Sequence, residues 1–560
     1  MDNYAIADQF SLLAKLMDIH GENSFKSKSY SSAAFTIEKL PQELAGLSHE
    51  KIFKIKGIGE SVGNKVIEIL ETGELQLLKE IIAQTPEGVL EMMNIKGLGP
   101  KKINLLWKEM GIDNIEDLQK ACQENRIAQT KGFGEKTQQN ILDSIQFQQS
   151  NAGKYLYAKV EAFALALTEK IKDKFPDHKT ELTGDFRRQM DIIESLDWTT
   201  TVSSDLLKNY LLNEHVALVA DRDGMLILKA DEALLLRFYI TDEKDFSRKL
   251  FETTGSQEFV DEWHRVTKMQ NESGFSNEQA IFQAADLQYI PPYLRENIDI
   301  ISKAQAQKIQ DVVHTRDIKG LIHAHSNWSD GGYTIEEMAK ELIATGFEYL
   351  VISDHSKAAY YANGLSEQRI REQHRYIDEL NEKLAPFKIF KSIECDILND
   401  GALDYENKIL SMFDLVITSV HSNLDMDEEK AMKRLLGAIT NPYTTIMGHM
   451  TGRLLLRRKG YPIDHKTIID ACAENHVVIE INASPSRLDM DWRWINYAME
   501  KGVMLSIDPD AHTTEEFPNI KYGVLVAQKG GLTKERNLSS YSLKEFEAFL
   551  EKNKKLKGIS

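Results

Sequence analysis

The chain is poor in cysteine, in long apolar runs and in positive charge, and each shortage removes a class of protein. Cys122, Cys395 and Cys472 are the only three cysteines in 560 residues. Odd in number and far apart, they offer no disulfide framework and fit a reducing cytoplasm. No stretch approaches the roughly 20 apolar residues that cross a bilayer. The start, Met1-Asp2-Asn3-Tyr4-Ala5-Ile6, is polar and acidic rather than a charged-then-apolar leader. A cytoplasmic protein with no membrane partner is the expectation. Lys and Arg total 68 against 86 Asp and Glu, a net charge of −18. That balance argues against a protein that coats nucleic acid by bulk positive charge, while local basic clusters remain free to grip phosphates. The length exceeds what one core can organise and implies three or more domains.

What is abundant is histidine and carboxylate at the ends of short apolar runs in the last 240 residues or so. His323 and His325 lie in Leu-Ile-His-Ala-His, with Asp330 five residues on. His355 closes Tyr-Leu-Val-Ile-Ser-Asp-His, and Glu394 closes Lys-Ile-Phe-Lys-Ser-Ile-Glu. His421 follows Leu-Val-Ile-Thr-Ser-Val, His449 follows Thr-Ile-Met-Gly, and Asp510 and His512 end Val-Met-Leu-Ser-Ile-Asp-Pro-Asp-Ala-His. These nine donors are more than one ion can use. With no cysteine among them they suit Zn²⁺, Mn²⁺ or Fe²⁺. The apolar runs read as strands separated by helical stretches, and in parallel barrels such residues gather at the C-terminal strand ends. Clustered divalent ions activate water near neutral pH and clamp phosphate oxygens, which points to phosphoester hydrolysis. His314, His374, His465 and His476 end no strand in this pattern and are read as ordinary polar residues. Arg453, Lys357 and Arg487 are the candidate phosphate grips, Arg453 first because its planar fork suits a bidentate contact. Trp328, close to Asp330, is read either as a base-stacking ring at the mouth or as packing on the barrel rim. Glu480 and Asn482, ending another apolar run, are read as supports for the ligands or substrate contacts.

The first 150 or so residues read as short helices, with Ile6, Phe10, Leu13 and Leu16 at helical spacing. One pattern recurs between them: Lys56-Gly57-Ile58-Gly59, Lys96-Gly97-Leu98-Gly99 and Lys131-Gly132-Phe133-Gly134. Paired glycines allow a tight turn, and the helix that follows offers free N–H groups and a positive dipole end. This is how a helix-hairpin-helix motif holds a DNA backbone without reading sequence. Lys101, Lys102 and Lys136 lie just past the turns. Further on, Asp221-Arg222-Asp223-Gly224 between two apolar runs predicts a hairpin, and 234–240 predicts another strand.

The order of these parts resembles bacterial family X DNA polymerases. The marks are the Gly-x-Gly turns, Thr183-Gly184-Asp185-Phe186-Arg187-Arg188, Thr254-Gly255-Ser256, Ile290-Pro291-Pro292-Tyr293-Leu294-Arg295 and the histidine-carboxylate series. The resemblance implies a multidomain chain. Residues 1–82 and 83–152 would form helix-hairpin-helix domains. A nucleotidyltransferase-like α+β palm would occupy 153–245, a thumb 246–305 and a linker 306–318. A PHP (polymerase and histidinol phosphatase) domain, a distorted (βα)7 barrel, would occupy 319–560. It further implies three metal ions on the nine ligands, Glu394 between metals, and Glu394, Asp510 and His512 as the catalytic set. The palm departs from the family. Its first carboxylate falls on Ser195, its second is kept as Asp197, and its third falls on Leu235. Asp185 replaces a phosphate-binding serine beside Arg188, so polymerisation is expected to be lost. A register displaced by one or two residues would bring Glu194 or Asp191 into play. The expected activity is 3′–5′ exonuclease, 3′-end cleaning or abasic-site cleavage in DNA repair. The alternatives are a phosphatase of small phosphomonoesters and a non-catalytic DNA-binding scaffold. Oligomeric state is not readable from the chain.

Overall fold

The computed structural model describes residues 3–38, 40, 42–95, 97–269 and 273–559. They form two compact units that part between Ala152 and Gly153.

The first unit is helical. Ile6, Phe10, Leu13 and Leu16, three or four apart, share one face of the helix Asn3–His20 and are fully buried. The paired-glycine turn is built the same way three times. Gly57, Gly97 and Gly132 have φ of +97°, +90° and +97°, a region that L side chains rarely enter. Gly59, Gly99 and Gly134 then cap the helices Glu60–Thr72, Pro100–Asn104 and Glu135–Asn151. Lys96, the lysine of the second copy, lies outside the described residues.

The second unit opens with an α/β segment. Its strands are β1 (Tyr155–Leu156), β2 (Thr180–Thr183), β3 (Ile192–Ile193), β4 (Ser195–Thr200), β5 (Ala217–Arg222), β6 (Met225–Lys229) and β7 (Leu235–Ile240). The main sheet runs β2-β4-β7-β6-β5. The β5–β6 hairpin turns on Asp223 and Gly224, both with positive φ, as a two-residue turn of matching twist demands. Helices from Phe246 to Gln305 follow, packed on Phe251, Phe259, Trp263 and Phe282. Within them Arg295 is fully buried, its charge met by Glu278 at 2.5 Å. The stretch read as a linker is exposed over most of its length and packs at Val312, Val313 and Ile318. Val313 is fully buried and its N–H donates to the Leu532 carbonyl at 2.8 Å, because two valines interrupt the charged run.

The rest of the unit is a parallel barrel. Its strands are β8 (Gly320–Ala324), β9 (Tyr349–Ile352), β10 (Lys388–Lys391), β11 (Glu394–Asp396), β12 (Ile417–Ser419), β13 (Ile446–Met447), β14 (Val478–Asn482) and β15 (Leu505–Asp508). β8, β9 and β10 pair in one sheet, and β11 to β15 pair in order in another. Only Ser392 and Ile393 separate β10 from β11, so the two act as one bent strand, leaving seven strand positions around the ring. Bridges at Ala324–Ala511 and His355–Glu394 close the two seams. Strands covered on both faces need apolar residues throughout, which is why they read as continuous runs. Ile322, Val351, Ile417, Ile446 and Val478 share a core with Phe546 and Leu550 of the last helix, Leu543–Leu556. Most of these come early in their strands, so the opposite, C-terminal end is left for chemistry.

Candidate metal centre

All nine expected donors meet at that end. His323 sits on β8 at a break in its pairing with β9, with φ of +62°, and Asp510 past β15 has φ of +53°. Such backbone is tolerated by short polar residues and is concentrated at functional sites. Three groups of donor atoms form, each with its atoms within 4.8 Å of one another. One is His325, Asp330, His355 and His512; the second is His323, His325, Glu394 and Asp510; the third is His355, Glu394 and His421. His449 joins the third through its Nε2, 3.0 Å from Glu394 Oε1. Each pair of groups shares one residue: His325, His355 or Glu394. Of these only Glu394 is a carboxylate, with two oxygens to offer.

The electrostatics describe a site that demands positive charge. Burial disfavours charge on Glu394, yet His421, His323 and His355 hold its carboxyl well below the usual range. Asp510 is likewise held low against burial, by His323 and His325. Burial opposes protonation of His421, but Glu394 and Asp396 push its ring up to about 10. His325 is pushed well down, by burial and then by His512 and His355. Buried His323 Nε2, His325 Nδ1 and Glu394 Oε2 have no hydrogen-bond partner, the condition of atoms suited to bind an ion. The donor set and these orphaned atoms fit divalent cations. No comparable group is found elsewhere among the described residues, and His314, His374, His465 and His476 belong to none.

Supporting carboxylates lie beneath the ligands. Glu480 Oε2 is 2.8 Å from His323 Nδ1, and its Oε1 accepts from Asn482 at 2.6 Å. Asp396 Oδ1 lies 3.2 Å from His421 Nδ1. Asp354 accepts from the Ser326 N–H and from Ser326, Ser329 and Gln373 side chains, tying down the loop that carries His325 to Asp330. Asp354 and Asp396 were missed in the sequence. The available signal was a second carboxylate beside a ligand, in Ser-Asp-His and Glu-Cys-Asp.

The three phosphate candidates part company. Arg487 faces the cluster, its Nε 3.7 Å from Asp510 Oδ2. Lys357 is exposed beside His355, its ammonium 5.0 Å above the Tyr405 ring. Arg453 is corrected: its guanidinium is buried between Asp491 at 2.7 Å and Asp191 of the α/β segment at 3.5 Å, and also donates to the Arg487 and Leu488 carbonyls. Four of the fork's five N–H donors are engaged by the protein, which leaves one for a substrate. Trp328 packs on the outer core, with its ring 6.4 Å from Tyr376.

In the α/β segment, parallel pairing sets Ser195 opposite Leu235 and Asp197 opposite Arg237. Ser195 Oγ donates to Asp197 Oδ1 at 2.7 Å, and a Cβ at Gly184 would lie 2.5 Å from Asp197 Oδ2. Asp185 pairs with Arg188, whose Nε donates to Glu296 at 2.6 Å. Glu194 pairs with Lys154 at 3.0 Å.

In the first unit the turns face open space: a Cβ at Gly59, Gly97, Gly99, Gly132 or Gly134 would meet nothing within 4 Å. At Gly57 it would meet Thr36 at 3.1 Å. Lys101 and Lys136 are exposed, while Lys102 folds back to donate to the Gly97 carbonyl at 3.0 Å.

Fold and site together define a helix-hairpin-helix protein with a mixed α/β middle and a C-terminal PHP domain. Residues 1–75 match the helix-hairpin-helix domain family, 89–146 the SAM-like helix-hairpin-helix tandem, and 322–484 the PHP domain family. The chain is 32% identical to the DNA polymerase/3′-5′ exonuclease PolX of Bacillus subtilis (strain 168), over 97% of this chain and 98% of that one. The chain belongs to the PolX family. It is also 28% identical to a probable phosphatase of Thermoanaerobacter sp. (strain X514), over 42% of this chain and 96% of that one. A stretch covering 21% of this chain is 30% identical to 19% of the DNA polymerase lambda of Rattus norvegicus. No helix among the described residues is long and apolar enough to cross a membrane.

Proposed function

We propose that this protein is a metal-dependent phosphoesterase acting on DNA, a 3′–5′ exonuclease or 3′-end cleaning enzyme of repair, with abasic-site cleavage as a related activity. The observation that carries the reading is the convergence of nine donors at one barrel mouth, eight in three linked groups and His449 against Glu394. Manganese or zinc, with iron next, suits this donor set, and three ions suit the three groups. Such ions would lower the pKa of water and screen phosphate oxygens. Glu394 joins two groups, Arg487 offers a cation at the open side of Asp510, and Lys357 offers a second. His512, 35% exposed and 3.6 Å from Asp330, is the ligand best placed to exchange a proton with solvent, with Asp510 the other proton carrier. The open glycine turns, with Lys101 and Lys136 beside them, would hold DNA backbone.

Polymerisation is lost in this reading. A two-metal transfer site needs carboxylates on adjacent strands, and here Ser195 faces Leu235. Asp191 and Glu194, the substitutes a shifted register would supply, are engaged by Arg453 and Lys154. The test is a 5′-labelled primer–template with Mn²⁺, with and without dNTPs, beside the Glu394→Ala, His421→Ala double variant. Stepwise shortening that the variant loses, with no extension, is expected. Extension with dNTPs would defeat the silent-palm reading. The second reading, a small-phosphomonoester phosphatase, is favoured by likeness to the probable phosphatase over 42% of this chain. It takes over if DNA stays intact while such esters are cleaved.

A further inference from the structure

Two large aromatic side chains stand in water beside the metal centre. Tyr360 is 85% exposed and Tyr361 58% exposed, next to each other in the short turn Tyr360–Ala362. Their ring centroids are 6.0 Å apart with planes at 79°. This exposure does not come from a slack loop. The Ser356 N–H donates to the Glu394 carbonyl at 3.0 Å, and the Leu365 N–H donates to the His355 carbonyl at 2.8 Å, so both ends are tied to ligand residues. Between them the Lys357 N–H donates to the Tyr405 hydroxyl at 3.0 Å and the Ala358 N–H to Asp404 at 2.6 Å. Arg369 holds the Asn363 carbonyl at 2.7 Å. The fold is tight enough that a Cβ at Gly364 would lie 1.9 Å from the Ser356 carbonyl oxygen. The Tyr361 ring also stands near the chemistry. Partial burial, then Asp396, Glu394 and Asp330, push the Tyr361 phenol up to about 12, with Arg487 opposing.

Rigid, exposed aromatic faces beside a phosphoester site match the flat, apolar part of a nucleotide. We propose that Tyr360 and Tyr361 form a stacking platform for the last bases of an unpaired DNA 3′ end, set so that the adjoining phosphate enters the metal centre. This rests on the DNA-processing reading above and adds to it the side chains that would seat the end, where bases are free to leave their neighbours. Stacking on an aromatic face tolerates every base, as an exonuclease that reads no sequence requires. A small phosphomonoester without a ring gives the pair nothing to hold.

The test uses the full-length, Mn²⁺-loaded protein and two 5′-labelled single strands, one ordinary and one ending in two base-free tetrahydrofuran nucleotides. The variants are Tyr360→Ala with Tyr361→Ala, and Tyr360→Phe with Tyr361→Phe. The alanine pair is expected to raise KM for the ordinary end by about tenfold or more. The phenylalanine pair restores it, and the base-free end changes by less than twofold. A 3′-terminal 2-aminopurine, bound with Ca²⁺ in place of Mn²⁺, adds a readout without turnover. Its fluorescence is quenched by wild type and by the phenylalanine pair but not by the alanine pair. Equal losses on both ends would assign the tyrosines to loop structure and overturn the platform, as would no loss on either. If wild type cleaves neither strand, the DNA reading itself fails, and the platform with it.

Discussion

At the scale of single residues, the centre depends on side chains that touch no substrate. Glu480 holds His323 by Nδ1 and so presents Nε2 to the cluster, while Asn482 fixes Glu480 in turn. Burial opposes a charged His323, but Glu480, Asp510 and Glu394 outweigh it and hold the ring well above its ordinary value. Glu480→Gln keeps the shape and removes the charge. We expect Mn²⁺ affinity or turnover to fall about 10–100-fold. Metal titration followed by calorimetry, with thermal unfolding of the metal-free protein as control, separates weakened binding from a damaged barrel. An unchanged titration would remove Glu480 from the centre's support. Arg453 shows the reverse case, a residue whose chemistry suggests a ligand but whose surroundings decide otherwise. Guanidinium suits phosphate and carboxylate equally, and here Asp191 and Asp491 reached it first. Nothing in Thr-Gly-Arg discloses that, because its partners are 262 and 38 positions away.

Elements carry the legible part of the chain, and the reason is periodicity. A strand that is buried on both faces must be apolar throughout and ends where polarity begins, so its last residues name the site. That is why the donors at the ends of β8, β9, β12, β13 and β15 could be read in order. The bend between β10 and β11 could not, since Ser392 and Ile393 include no glycine or proline to mark a break in pairing. Seams made by single bridges, His355–Glu394 and Ala324–Ala511, also leave no periodic trace. The glycine turns were legible because their backbone excludes other residues. Gly97, with φ of +90° and open space around it, isolates the backbone effect from crowding. Gly97→Ala is expected to cost about 1–2 kcal/mol in the first unit through its left-handed backbone. DNA binding weakens in parallel, by several-fold in fluorescence anisotropy, since the turn presents the N–H groups of the next helix. Unchanged affinity in a folded variant would mean that this module does not touch DNA.

At the scale of the whole molecule, charge governs both stability and substrate. The second unit buries Lys529, at the end of the helix Ile520–Lys529, against the α/β segment. Its Nζ donates to the Arg188 carbonyl at 3.1 Å and stands 3.9 Å from Glu296. Burial pushes its pKa down to about 8. An unfolded lysine titrates near 10.4. Below pH 8 both states are charged and the whole cost of burial is felt. Between pH 8 and about 10.4 the native lysine has lost a proton that the unfolded chain keeps, so this residue's contribution to stability rises with pH in that window. Lys529→Met should therefore gain stability at pH 7, by up to about 3 kcal/mol, with wild type recovering ground by pH 10. Urea midpoints across that range measure the difference, and a variant less stable than wild type at pH 7 would show that the contacts to Arg188 and Glu296 outweigh desolvation. Charge also separates the two functional readings. With a net charge of −18, long-range attraction cannot draw DNA to this protein, so binding must come from a few local contacts. If each glycine-turn module neutralises one or two phosphates, the DNA association constant should fall with a log–log salt slope of about −3 to −5. The counterpart measurement is hydrolysis of p-nitrophenyl phosphate by the same Mn²⁺-loaded protein, which displaces no polyelectrolyte counterions and should vary little over the same range. A steep slope for DNA beside a flat one for the small ester supports a centre fed by backbone-binding modules. Flat slopes for both, with the ester turned over faster, would leave the helix-hairpin-helix units without a part in the reaction and return the barrel to the phosphatase reading.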